Sequence, residues 1–162
     1  MPFDLIMQIA GLAALIAAMG VGYWRWIRPM QAPTVASQAQ RWLILLALCD
    51  SLLAAPFWWT DQEFSFAWDL PYSASKLLAM AGLSLAAMCA YTLERPTRSR
   101  MRLLMIFLAV YAAPLGAAAL IAHRDRFDAG SPMTYAFFLM IAIYAIGGGW
   151  FAWRPAADPP QS

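Results

Sequence analysis

The chain has 162 residues, of which 62% are hydrophobic and 12% charged, whereas an ordinary soluble domain has about 45–50% apolar and about 25% charged residues. A single fold of this length cannot hide so much apolar surface from water, so the composition excludes a soluble globular domain and makes lipid the natural solvent. The net charge of +2 is too small to suggest a nucleic-acid partner, and two cysteines, Cys49 and Cys89, form neither a disulfide framework nor a metal cluster.

A helix that crosses a bilayer needs about 20 mainly apolar residues. Five stretches qualify, and the sequence predicts an all-α, polytopic transmembrane helix bundle forming one domain over residues 1–153. The first span, 3–26, is interrupted only by Asp4 and Gln8 near its start. It is not read as a cleavable signal peptide, because no basic segment precedes it and it ends in aromatics and arginines. Small residues let membrane helices approach closely, and this span carries Ala10, Ala14, Ala18 and Gly22 at four-residue spacing. A linker rich in Pro, Ala, Ser and Gln follows over 28–40.

The second span, 42–59, holds Asp50 near its middle and Pro56 near its end. An acidic loop over 60–71 then spaces Phe64, Phe66 and Trp68 as a short interfacial helix or strand would. The third span, 73–93, opens near Lys76 and carries Gly82, Ala86 and Ala90 as a packing face. The fourth, 101–122, contains Pro114 and Gly116 and ends beside His123. The fifth, 135–153, contains Gly147, Gly148 and Gly149, and a Pro-rich tail over 154–162 is expected to be disordered. Backbone groups in lipid must be bonded within their own segment, so these spans are helices rather than open strands.

Orientation follows from Lys and Arg near the span ends. Arg25, Arg28, Arg41, Arg95, Arg98, Arg100, Arg102 and Arg154 fall on one set of alternate loops; Lys76, Arg124 and Arg126 fall on the other, with most of the acids. An odd number of spans fits this alternation, with the N-terminus outside and the C-terminus in the cytoplasm. Tyr23, Trp24, Trp26, Trp42, Trp58, Trp59, Trp150 and Trp153 cluster at the boundaries, where amphipathic rings favour headgroups.

Few polar residues are placed to carry chemistry. A charged acid at mid-membrane costs roughly 2.5–3.5 kcal/mol by insertion scales, so Asp50 is either an ion, proton or substrate site or a neutral acid hydrogen-bonded to a neighbour. Ala47, Ser51 and Ala54 beside it leave room for another helix. Lys76 is the candidate partner, although its depth differs from that of Asp50 by roughly 7 Å at 1.5 Å per residue and lysine stems tend to snorkel outward. Ser73 and Lys76 match the Ser-x-x-Lys pattern of serine acyl-enzymes, without its companion motifs. His123 is a candidate axial ligand for a pigment or haem, and an interfacial histidine is the ordinary alternative. Met101 and Met105 share a helix face and suit a soft metal such as Cu(I), but Met is also a common filler of helix bundles.

The run Asp50, Tyr72, Lys76, Arg95 to Arg102 and the span ending at His123 resembles, over roughly half the chain, the four-helix unit of copper-resistance membrane permeases. That resemblance implies a metal-handling membrane unit; the histidines expected of that type are absent and the fifth helix is extra.

The sequence names no cofactor. It points first to a small non-enzymatic subunit or accessory factor of a larger complex in the bacterial inner membrane, with membrane lipids and a protein partner or a second copy as neighbours. The alternatives are a transporter or channel unit for a proton, cation or metal using Asp50, and a membrane enzyme acting on lipid or porphyrin. Cysteines introduced singly between residues 60 and 71 are expected to react with an impermeant maleimide added outside the cell, and those between 95 and 102 to be protected. The reverse labelling pattern would invert the topology.

Overall fold

The computed structural model describes residues 3–29, 37–60, 72–122, 125, 127 and 130–153. It is all-helical: α1 (Phe3–Gly22) runs into a π-helical turn (Tyr23–Ile27), followed by α2 (Gln38–Trp59), α3 (Tyr72–Glu94), α4 (Arg98–Ala122) and α5 (Pro132–Trp153). Five helices are long and apolar enough to cross a membrane. The aromatic spacing of Phe64, Phe66 and Trp68, His123 and the tail from Arg154 onward lie outside the described residues.

Three helices begin three or four residues before the apolar runs do, because caps rather than hydropathy set a helix start. Ser37 is extended (φ −65°, ψ 153°), its side chain accepts from the Gln40 N–H, and the Gln40 side chain accepts from the Ser37 N–H. This capping box satisfies two otherwise orphaned donors and starts α2 at Gln38. At the start of α4 the Thr97 hydroxyl accepts from the Arg100 N–H at 3.3 Å. Helix α5 opens on Pro132, whose missing N–H costs nothing in a first turn. Pro56 and Pro114 both lie inside continuous helices.

Lipid is as apolar as a leucine side chain, so helices in it associate by close fit. Helices α2 and α3 pair antiparallel around Gly82, where an added Cβ would sit 3.3 Å from the Trp58 ring and 3.5 Å from the Ser51 carbonyl oxygen. Helices α4 and α5 approach still more closely. A Cβ at Gly148 would lie 2.7 Å from the Met105 carbonyl oxygen and 2.9 Å from the Ala109 nitrogen, and one at Gly116 would lie 2.7 Å from Ile141. The two pairs meet where Leu43 of α2 packs beside Gly147 of α5, 3.1 Å from a Cβ placed there. In the shared core Ile44, Leu45, Leu93, Leu104, Met105 and Leu108 are fully buried. Large side chains point outward in quantity, among them Ile121 at 84% exposure and Leu77 at 71%; such a surface suits lipid rather than water.

Helix α1 is peripheral. Leu15, Ala18 and Met19 pack on the core, and Gly22 is pressed against Leu45. Ala10 and Ala14, grouped by spacing with Ala18 and Gly22, are exposed instead, because only the last turns of α1 reach α2. On α3, Gly82 and Ala86 are buried and Ala90 packs against the core.

One end of the bundle gathers the arginines. The Tyr23 and Trp42 rings stack at 5.5 Å, joining the end of the first helix to the start of α2. Arg25 and the Trp26 indole both donate to the Glu94 carboxylate, at 3.1 and 3.3 Å, joining it to the end of α3.

Overpacking a tight contact costs about 1–3 kcal/mol where the neighbour cannot give way. Gly148 meets backbone, whereas Gly149 has nothing within 4 Å. Gly148→Ala is therefore expected to lower the unfolding midpoint in detergent clearly, and Gly149→Ala to leave it unchanged. Equal midpoints for the two variants would refute the α4–α5 packing.

Candidate functional site

Among the described residues, the polar centre of the bundle is a link between two helices that no local pattern marks as neighbours. Asp50 projects from the middle of α2, and its Oδ2 accepts a hydrogen bond from the Tyr144 hydroxyl of α5 at 3.1 Å. Tyr144 is buried, at 6% exposure, while Asp50 is partly covered. Buried Cys49 precedes Asp50 and buried Ser51 follows it. The bond joins the α2–α3 pair to the α4–α5 pair.

Asp50 does not pair with Lys76. The lysine ammonium donates to the Trp59 backbone carbonyl at the far end of α2 and lies 4.3 Å from the Tyr72 ring centroid. Lysine thus stays near its helix end, over aromatic faces that attract a cation. Nor does it engage Ser73; the hydroxyl near it that is bonded belongs to Ser75, which donates to the Tyr72 carbonyl at 2.8 Å. The serine–lysine dyad is not assembled.

Cys49 and Cys89 are both buried as free thiols. Met101 and Met105 are buried at 2% and 0% exposure within the apolar core, as packing residues. Among the described residues no group of three or more His, Cys, Asp or Glu side chains is placed to hold a metal ion. A groove of about 350 Å³ lies between α1, α2 and α5 and is lined by apolar side chains including Met19, Trp42, Leu46 and Phe151; Asp50 is not part of it.

Two residues escape a reading of the sequence alone. Tyr144 carries no local signal of pairing, since a tyrosine in an apolar helix most often marks an interface; only the packing of α5 on α2 brings it to Asp50. Arg41 reads in sequence as one more basic residue at a span end. In the fold it is 5% exposed, and its Nε and the Thr134 hydroxyl are the buried side-chain polar atoms without a hydrogen-bond partner among the described residues.

No family model matches the chain, and no curated protein or solved structure matches it significantly. The partial likeness to copper permeases therefore rests on the residues quoted for it.

Removing one partner of a buried hydrogen bond leaves the other unsatisfied at a cost of about 1–3 kcal/mol, while replacing both by apolar groups can be nearly neutral. Tyr144→Phe is expected to destabilise the bundle toward denaturing detergent by that amount, and Asp50→Leu combined with Tyr144→Phe by less than Tyr144→Phe alone. Additive losses in this double-mutant cycle would show that the two side chains are not coupled.

Proposed function

We propose that this chain is a small integral membrane protein of the bacterial inner membrane, with its N-terminus outside and C-terminus in the cytoplasm, and that it serves as a subunit or accessory factor of a larger membrane complex. The observation that carries this reading is the state of the first helix. Only 6% of its span is buried, against 44% of α2 and 39% of α3. Its uncovered surface includes Ala10, Gly11, Ala14 and Gly20, small residues of the kind that at Gly82 and Gly148 lie at helix contacts. A helix with a backbone so accessible is suited to receive a neighbouring helix. Purification in a mild detergent tests it: a stoichiometric second protein, lost on Ala14→Ile but retained on Leu12→Ile, is the expected result. A monodisperse preparation containing this chain alone would overturn it.

The Asp50–Tyr144 bond favours a second reading, a proton- or cation-conducting unit. Intramembrane acids that face a bundle interior mark ion and proton pathways in many membrane proteins, and a tyrosine hydroxyl on the carboxyl oxygen can follow a change in its protonation. On this reading Asp50→Asn abolishes proton or cation flux in proteoliposomes. Flux equal to wild type in that variant would remove Asp50 as a coupling site.

A further inference from the structure

A guanidinium is always charged and carries five donors, and burying it unpaired is among the costlier arrangements a fold can contain. Arg41 comes close to that state: the residue is 5% exposed and its Nε is enclosed. It continues the buried stripe of α2 toward the helix start, with Ile44, Leu45 and Leu48 in the turns above it. Among the described residues its Nε has no hydrogen-bond partner, and the carboxylate at this end, Glu94, is occupied by Arg25 and Trp26. Neighbouring arginines of this end are placed differently. Arg28 lies over the Trp24 ring at 3.7 Å, and Arg100 lies over Tyr91 at 4.6 Å and donates to the Arg95 carbonyl.

Charge balance points the same way. Arg25, Arg28, Arg41, Arg95, Arg98, Arg100 and Arg102 lie at or beside the helix ends 22–28, 38–41, 94 and 98–102, where Glu94 is the described carboxylate and is bonded to Arg25. The first turn of α2 adds the positive end of its dipole, within one turn of Arg41. Such a field draws an anion, and the fork of a guanidinium matches the oxygens of a phosphate in particular.

We infer that Arg41 anchors a binding site for a phosphate group, carried by an anionic phospholipid, at the arginine-rich end of the bundle beside the start of α2. The phosphate would satisfy the buried guanidinium, and the surrounding arginines would favour a lipid of net negative charge over a zwitterionic one. A bound headgroup there would tie α2 to the interface at the end where the helix ends meet.

The test uses the full chain, delipidated in a nonionic detergent, with phosphatidylglycerol, phosphatidylcholine or inorganic phosphate added separately. Native mass spectrometry counts retained molecules and a thermal melt reads stability. Wild type is expected to retain one phosphatidylglycerol in preference to phosphatidylcholine. Arg41→Gln should weaken that retention about tenfold, as loss of a charged hydrogen-bonded contact does, and Arg102→Gln should change it by less than about twofold. Arg41→Met supplies the control for folding: without lipid it should melt no lower than wild type, since it removes an unpaired charge, and phosphatidylglycerol should no longer raise its midpoint. Competition by inorganic phosphate would assign the site to the oxyanion from either source, and no competition would assign it to the lipid; both uphold Arg41 as anchor. Undiminished phosphatidylglycerol retention in Arg41→Gln, or equal retention of the two lipids by wild type, would overturn the proposal. So would Asp158→Asn lowering the lipid-free midpoint, because the chain's own tail would then be the counterion.

Discussion

Close approach of backbones, which only glycine permits, sets the rest of this bundle. At Gly148 the α4 backbone lies where a side chain would begin, whereas at Gly82 an added Cβ would press on the Trp58 ring at 3.3 Å and meet the Ser51 carbonyl only at an ordinary contact distance. Because apolar side chains gain nothing by leaving lipid for one another, fit at these points is what distinguishes the helix pairs from a loose cluster. The two antiparallel pairs that result share one core, to which Ile44, Leu104, Met105 and Leu108 belong. Only within that arrangement does Tyr144 fall opposite Asp50, so the polar centre is a product of the packing rather than its cause.

The two ends of the bundle solve different electrostatic problems. At the Lys76 end the ammonium is spread over a backbone carbonyl and aromatic faces, which attract a cation. The opposite end carries seven described arginines, of which Arg25 meets Glu94 while rings and a carbonyl take up Arg28 and Arg100. Arg41 alone among these seven is buried. Its Nε is enclosed without a partner among the described residues, which is the feature the proposed headgroup would answer.

The number of helices and their approximate extent were legible in the sequence, because a run of about 20 apolar residues matches the thickness of a bilayer core and little else. Their starts were less so, yet the signals existed: Ser37 with Gln40, Thr97 with Arg100, and Pro132 are start signals readable without coordinates. Asp50 stood out through its rarity. Its partner did not, since nothing in residues 132–153 marks Tyr144 over Tyr135, which the fold leaves exposed. Small residues are equally ambiguous. Ala14 and Ala86 look alike in sequence, but one faces outward and the other is buried, because helix pairing depends on contacts that no local spacing encodes.

The π-helical turn at the end of the first helix has a geometric consequence. The Arg28 N–H reaches back five residues to the Tyr23 carbonyl, at 2.9 Å. At 3.6 residues per turn, Gly22 and Ile27 would point about 140° apart, yet both are buried. The wider turn absorbs one extra residue and resets the phase of everything after it. The helix thereby changes its facing direction where it would meet the headgroups: Ile27 turns inward, Arg25 turns toward Glu94, and Trp24 stays outside. A single register shift, without a break in the chain, converts a lipid-facing rod into a segment locked to its neighbours.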